Sequence, residues 1–295
     1  LQHIIHDSRN IQSLTNNIIW NIFADQEHNI WLGTDYGISL SRYNSALQFI
    51  PISQITGTGD GNQFYSLFRD SKGFYWFGGT NGLIRFTDPA GDKHNAIWYR
   101  MGDKTYPLSH NRIRHIYEDK EQQLWIATDG SINRYDYATR QFVHYNIVDS
   151  TGTYNTNWTY YMFEDNAGHL WISTCLGGIF VVDKHRLMQS ASGQYVAEQN
   201  YSVHNGLSGM FINQIIPDNE GNVWVLLYNN KGIDKINPRT REVTKLFADE
   251  LNGEKSPNYL LCDEDGMLWV GFHGGVMRIN PKDESQQSIS FGSFS

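Results

Sequence analysis

Six times in this chain an aspartate is followed six positions later by a tryptophan: Asp25/Trp31, Asp70/Trp76, Asp119/Trp125, Asp165/Trp171, Asp218/Trp224 and Asp263/Trp269. Subtracting those positions gives tryptophan-to-tryptophan intervals of 45, 49, 46, 53 and 45 residues. A period of that length requires one supersecondary unit copied along the chain, and roughly 40–50 residues is the span of a four-stranded propeller blade.

Each copy reads as a series of hairpins. In the second, Phe64-Tyr65-Ser66-Leu67-Phe68-Arg69 is a short apolar and aromatic stretch, as a strand requires. Asp70-Ser71-Lys72-Gly73 follows as a tight turn, with Asp accepting from nearby backbone N–H groups and Gly supplying positive φ. Residues 74–78 return as the second strand, Asn81-Gly82 turns again, and 83–86 form the third, with 96–100 as the fourth. Further fourth strands are expected over 142–146, 195–201 and 243–247. His28 and Gln122 replace the turn glycine in the first and third copies, and those two turns are expected to differ in detail. Hairpin connections throughout predict antiparallel meanders.

Residues 1–6 read as an outer strand with no blade before it, and 288–294 as the last strand of the sixth blade. With no Pro/Gly/Ser-rich linker, the expectation is one all-β propeller domain over residues 1–295, with six repeat-encoded four-stranded blades. Seven blades with one incomplete is the alternative.

Composition removes several function classes. The net charge is −8 and no loop carries a Lys/Arg cluster, which argues against nucleic acid. No apolar run is long enough to span a bilayer. Cys175 and Cys262 fall at different places in the fourth and sixth copies, so no disulfide is expected between them. The 11 histidines form no HxH or HxxxH cluster, and Asp263-Glu264-Asp265-Gly266 lacks the ligand spacing of a calcium loop, so no metal is implied. No phosphate-binding loop or dinucleotide fingerprint points to a cofactor. Glycoside hydrolysis needs two carboxyl groups across a sugar or a Tyr nucleophile. Turn chemistry accounts for the repeated Asp, packing accounts for the repeated Trp, and no catalytic residue is assigned.

The residues outside the repeat pattern are more informative about binding. Trp20, Trp98 and Trp158 are not among the repeated tryptophans. In a propeller the first strands begin, and the second-to-third loops end, at one face. Tyr36, Asn81, Arg112, Asp129, Trp158, Asn229, Asn230 and His273 are expected there. Their mixed chemistry suits a polyhydroxylated or anionic sugar. Arg112 offers a planar donor fork to a carboxylate or sulfate. Trp158 and Tyr36 would stack on a ring, Asn81, Asn229 and Asp129 would bond hydroxyls, and His273 would add charge as pH falls.

The repeat text itself resembles a known family. Phe23-Ala24-Asp25…Ile30-Trp31-Leu32-Gly33-Thr34-Asp35-Tyr36-Gly37-Ile38 and Ile126-Ala127-Thr128-Asp129-Gly130…Asn133-Arg134-Tyr135 are similar to the two-component regulator propeller repeat. The spacer His6-Asp7-Ser8-Arg9-Asn10…Ser13-Leu14-Thr15-Asn16-Asn17 agrees with it too. The fifth copy departs most, because Leu226-Leu227-Tyr228 replaces the Gly-Thr ending and leaves its second turn unplaced. The resemblance implies the periplasmic sensor part of a hybrid two-component histidine kinase that recognises a glycan or oligosaccharide. It also implies an adjoining propeller and an immunoglobulin-like module in the same protein, and a homodimeric receptor whose kinase lies outside this segment. A propeller glycoside hydrolase or lyase, and a purely structural interaction propeller, remain open as other roles.

Overall fold

Each apolar stretch between turn signals folds as a strand, and the strands group into six sheets. The computed structural model describes residues 4–10, 12–43, 49–51, 63–87, 96–105, 107–190, 194–228 and 232–290. It divides into two units, Leu1–His144 and Tyr145–Ser295.

In the first unit, blade one contains β1 (Ile19–Ala24), β2 (Ile30–Thr34), β3 (Gly37–Ser41) and β4 (Phe49–Pro51). Blade two contains β5 (Phe64–Arg69), β6 (Tyr75–Gly79), β7 (Gly82–Phe86) and β8 (Ile97–Tyr99). Blade three contains β9 (Ile113–Glu118), β10 (Leu124–Thr128), β11 (Ser131–Asp136) and β12 (Gln141–Val148), the last of which carries the chain into the second unit. There, blade four contains β13 (Thr159–Glu164), β14 (His169–Thr174) and β15 (Ile179–Asp183). Helix α1 (Lys184–Gln189), β16 (Gln194–Val196) and β17 (Gln199–Tyr201) follow. Blade five is β18 (Ile212–Pro217), β19 (Val223–Leu227), β20 (Ile233–Asn237) and β21 (Glu242–Leu246). Blade six is β22 (Pro257–Cys262), β23 (Leu268–Phe272), β24 (Gly275–Ile279) and β25 (Gln286–Ser290). The fold class is an all-β propeller with six blades.

Three boundaries differ from the sequence reading. The strand expected over 195–201 is two strands with different partners. β16 adds to β12 in parallel, making that sheet five-stranded and mixed, while β17 closes blade four against β15. The cause is α1, inserted after β15 and capped by Asp183, which accepts from Arg186 N at 3.0 Å. The chain must then return, and it changes partner at Ala197-Glu198: Ala197 N donates to Val148 O at 2.9 Å and Glu198 Oε2 accepts from Asp183 N at 2.9 Å. Second, residues 4–6 form no strand, and His6 N instead donates to Asn17 Oδ1 at 2.6 Å in a local loop. Residues 1–3 lie outside the described residues, as do 291–294 of the expected final strand, which begins earlier, at Gln286. Third, β19 and β20 pair as a hairpin in the fifth copy despite its missing Gly-Thr.

Each repeated tryptophan lies in its blade's second strand. The partner Asp does more than shape a turn. Asp25 Oδ1 accepts from Asn29 N at 2.9 Å, while its Oδ2 accepts from the Trp31 indole at 2.8 Å. The same pair of bonds recurs in the other copies, with indole distances of 2.7, 2.8, 3.0, 2.9 and 2.7 Å in chain order. Five of the indoles are at most 2% exposed, so the bond gives each ring a polar partner while its body fills the core. Trp269 is the half-buried exception.

The two non-glycine turns differ from the rest only in detail, with a smaller φ and the same hydrogen bonds. His28 and Gln122 adopt φ of 61° and 62°, in the region where the turn glycines stand at 76–87°. His28 N and Gln122 N bond Asp25 O and Asp119 O, as Gly73 N bonds Asp70 O, all within 2.9–3.0 Å. The Asp bonds hold those residues left-handed against a cost of about 1 kcal/mol.

Contacts between blades are made by the same residues. Within the first unit, Tyr75 Oη of blade two donates to Asp25 Oδ2 at 3.2 Å, and Tyr137 Oη of blade three donates to Asp70 Oδ2 at 2.7 Å. The glycine after the second-strand aromatic pair permits this approach: a Cβ on Gly78 would lie 2.4 Å from Ile113 Cγ2. Spacer residues pin the blade that follows them. Leu14, Leu108 and Leu207 are buried. The next residue bonds a third-strand side chain: Thr15 N to Ser39 Oγ at 2.9 Å, Ser109 N to Asn133 Oδ1 at 3.2 Å, Ser208 N to Asp234 Oδ2 at 2.7 Å.

Two stability predictions follow from these groups. Burial alone would raise the Asp25 carboxyl, but bonds from Trp31, Asn29 and Tyr75 outweigh it and hold the pKa below the usual carboxylate range. That contribution is present above the unfolded pKa and is lost as pH falls through the folded one. Trp31→Phe is therefore expected to cost about 2 kcal/mol in urea unfolding at pH 7, with a smaller penalty below about pH 4. Asp234 has the opposite sign: burial raises its carboxyl despite the two Ser208 bonds. Its folded form holds the proton more tightly, so stability falls as pH rises above the usual carboxylate range. In blade three the same position is Asn133, which accepts from Ser109 N and donates to Ser109 Oγ at 2.8 Å. Asp234→Asn should reproduce that pairing and stabilise by about 1 kcal/mol at neutral pH, with the gain vanishing below about pH 4.

Candidate functional site

The Asp turn consumes one end of each blade, and the variable chemistry gathers at the other end, around the hairpin between second and third strands. Counted from the repeated tryptophan, four positions meet there. Thirteen residues before it stand Ile18, Gln63, Arg112, Trp158, Phe211 and Ser256; in the first five the carbonyl accepts from the N–H of the first hairpin residue. Those hairpin residues, four after the tryptophan, include Asp35, Thr80, Asp129, Cys175, Tyr228 and His273. Tyr36 and Asn81 are the second hairpin residues.

The fourth position carries the aim of the side chains. In every blade the pairing of first and second strands skips one residue near its start: Trp20, Tyr65, Arg114, Tyr160, Asn213 or Asn258. Such a bulge leaves the extra residue unpaired, bends the strand and redirects the side chain. The residues set there carry aromatic, guanidinium and amide groups.

In the first unit these positions are joined by bonds. The Trp20 indole and Gln63 Nε2 both donate to Asp35 Oδ1, at 3.0 and 2.6 Å. Tyr65 Oη donates to Gln63 Oε1 at 2.5 Å, and the Tyr65 ring meets the edge of Trp20 at 5.4 Å. On the other side of Tyr65 lies the Arg114 guanidinium, 5.4 Å from the ring centre. Arg114 donates to both oxygens of Asp129, at 2.7 and 3.3 Å, and Arg112 Nη1 is 3.5 Å from Asp129 Oδ2. Burial raises the Tyr65 pKa, against the nearby arginines, so the phenol stays a neutral hydrogen-bonding group.

The expected site residues fall as follows. Arg112 and Asp129 meet, but as partners of one another; Asp129 is buried beneath two arginines, while 45% of the Arg112 side chain is exposed. Tyr36 is 60% exposed at its hairpin, and Asn81, also exposed, takes a bond from Arg100 Nε to its carbonyl at 3.3 Å. In the second unit Trp158 is half exposed, and His273 is exposed at the β23–β24 hairpin. Asn229 and Asn230 lie outside the described residues. Tyr160, Phe211 and Tyr228 form an aromatic group at this end of the second unit, with ring centres 5.3 and 4.8 Å apart along the series. Sequence reasoning missed Trp20, Tyr65, Arg114, Tyr160 and Phe211. Trp20 was set apart as irregular, whereas it occupies a place found in all six copies, eleven residues before the repeated tryptophan. That constant offset was the available signal. Neither a metal-binding group nor a membrane-length apolar helix occurs among the described residues.

Repeats with this geometry define a class, the two-component regulator propeller: the model of that repeat matches residues 13–36, 58–81 and 107–130. The chain carries repeats of that family. More particularly, it is 95% identical to a solved extracellular domain of a Bacteroides thetaiotaomicron protein assigned as a hybrid two component system, with TM-score 0.82, covering 100% of this chain and 40% of that one. The extracellular domain of a second such system from that organism matches at 19% identity and TM-score 0.73, over 95% of this chain and 35% of that one. Virginiamycin B lyase from Staphylococcus aureus shares the fold at 13% identity and TM-score 0.69, covering 96% and 87%. No curated protein matches. The chain thus spans less than half the length of its nearly identical relative.

The two arginines should separate in a stability assay. Arg114→Ala leaves the Asp129 carboxylate buried with one long contact, and a loss of about 3 kcal/mol in urea unfolding is expected. Arg112→Ala removes the half-exposed partner and should cost less than about 1 kcal/mol.

Proposed function

We propose that this chain is a ligand-sensing extracytoplasmic propeller domain, residues 1–295, of a hybrid two-component protein, recognising a glycan or oligosaccharide and controlling a histidine kinase. The observation that carries this reading is the bulged strand start repeated in every blade. It sets tryptophan, tyrosine, arginine and asparagine near the hairpin end, away from the Asp–Trp pair that anchors each blade at its other end. Aromatic faces with convergent amide and guanidinium donors suit sugar rings and their hydroxyl or acidic substituents. The near identity to an extracellular domain of a two component system supports the signalling context. That context supports a periplasmic location as part of the proposal.

The reading is one of binding without chemistry. The repeated carboxylates are occupied by indole and backbone donors, and Asp129 by two arginines. Tyr36, Asn81, Arg112, Trp158 and His273 remain the exposed groups for ligand contact, with Asn229 and Asn230 proposed beside them. In the whole protein, an adjoining propeller and an immunoglobulin-like module complete the sensor, and two copies form the receptor. A ligand would drive such a receptor through its differential affinity for two arrangements of the copies.

Incubating the purified chain with a panel of plant and host glycans tests the reading. Saturable binding without released reducing ends is expected, weakened about tenfold by Arg112→Ala for uronic or sulfated glycans. Released reducing ends would replace sensing with a hydrolase or lyase, and binding of no glycan by the full extracytoplasmic region would favour a structural role.

A further inference from the structure

Blade four departs from blade one at two neighbouring places. Its second-to-third hairpin is one residue longer: Ser173 and Ile179 pair across five residues, where Gly33 and Ile38 in blade one pair across four. The longer loop is held by Thr174 Oγ1, which donates to Gly178 O and accepts from Gly177 N, both at 2.9 Å. The outcome is Leu176 standing 65% exposed. Facing it is a stiff loop built on Asp149, whose carboxylate accepts from Tyr154 N at 2.7 Å and from Thr151 Oγ1 at 2.5 Å. These bonds hold the Asp149 pKa below the usual range, although burial, the largest single effect, pushes it up.

Trp158 ends that loop in the left-handed region, at φ 56°, a conformation an indole-bearing residue takes only when its surroundings impose it. Cys175 N bonds its carbonyl at 3.0 Å, fixing the backbone against the hairpin. The ring is presented outward, 49% exposed, and among the described residues its N–H has no protein acceptor. The two loops meet closely: a Cβ on Gly177 would lie 2.7 Å from Asn155 O. Between them is a recess of about 320 Å³ with Trp158 and Leu176 as its apolar surfaces and Tyr154, Asn155 and Asn157 as its polar ones. Among the described residues no charged side chain lines it.

We infer that this recess is a subsite for one uncharged pyranose unit, stacked on Trp158 with its hydroxyls met by the Asn155 and Asn157 amides. The inference rests on the sugar-sensing reading and narrows it. An indole face matches the C–H surface of a pyranose, and amides both donate to and accept from hydroxyls. A carboxylate or sulfate would be desolvated there without a cation to meet it. The recess volume matches a single ring rather than a chain. The extra hairpin residue, absent from the first blade, supplies Leu176 as the second apolar wall.

The test is fluorine NMR of the whole chain labelled with 5-fluorotryptophan, the Trp158 signal being assigned by its loss in Trp158→Phe. The probes are the methyl glycosides of glucose, galactose and mannose and of their uronic acids, titrated into the tens of millimolar. A saturable shift of the Trp158 signal by at least one neutral glycoside is expected, with affinity lowered about tenfold for the uronate and in Asn157→Ala. Deletion of Leu176, which restores the hairpin length of blade one, should weaken binding similarly. Because Asn157 is exposed, loss of binding in that variant with an unchanged unfolding midpoint reports on the recess and not on folding. If another tryptophan signal moves while Trp158 stays still, or the uronates bind more tightly, the subsite is wrong and the sugar-sensing reading survives. If no signal moves with any glycoside and the chain also binds no oligosaccharide, both fail.

Discussion

The fold depends on a carboxylate buried against an indole. An Asp at this turn must shed water, which is unfavourable for the charged form, and it does so because protein donors replace the lost hydration. Asp25 receives Asn29 N, the Asn29 amide, Trp31 Nε1 and Tyr75 Oη. The same indole that donates also fills the centre of the blade, so turn geometry and core packing are set by one pair of side chains. A hairpin alone is marginal in water, and it becomes stable when its face is covered. Here the aspartate that closes one hairpin also takes a tyrosine from the next blade, so local closure and blade-to-blade packing in the first unit share an anchor.

This arrangement explains the tolerance at turn positions. His28 and Gln122 sit left-handed where glycine would be relaxed, and the backbone bonds around them remain in place. The Asp acceptor has already fixed the four-residue loop, so the residue at its third step adapts to the backbone. Sequence reasoning treats glycine as the determinant of such a turn; in this chain it is an aid, and Asp is the determinant.

Much of the architecture was legible from the constant Asp-to-Trp offset and the turn signals on either side, because those features are local and repeated. The strand exchange at Ala197-Glu198 was not, since apolar residues 195–201 read equally well as one strand when the competing edge of β12 is unknown. For the candidate site, the sequence made the fold positions of several residues legible. Arg112, Trp158, Tyr36 and His273 were placed at the correct ends of their strands by counting along the hairpins. What counting did not show was that Asp129 is already taken by Arg114, a residue two positions from Arg112 that a bulge turns toward the same carboxylate. A bulge shifts side-chain alternation by one residue, so a strand read with strict period two assigns Trp20, Tyr65 and Arg114 to the wrong face. The shift recurs in each copy, because the bulge does.

Separation of the indole anchor from the variable residues along the length of each blade is the consequence with the widest reach. The second strand runs from the Asp turn to the hairpin, so its first half carries the buried indole and its far end carries the variable residues. The hairpin residues stand at the opposite end of the second strand from the Asp that takes the indole bond. Blade four shows the freedom this leaves: one added hairpin residue and a stiff preceding loop create a recess while Trp171 keeps its bond to Asp165 at 3.0 Å. A fold organised in this way can carry unrelated activities on the same frame, which is why a lyase with 13% identity superimposes on it and yet supplies no argument about chemistry here. The discriminating information is confined to the hairpin residues, the bulged residues and those that precede the first strands. In this chain those places hold aromatic, amide and arginine groups, with the acids among them, Asp35 and Asp129, already bonded to donors from the same chain. An end of that composition is suited to stacking and to donating hydrogen bonds, and its carboxylates Asp35 and Asp129 brace the donors beside them.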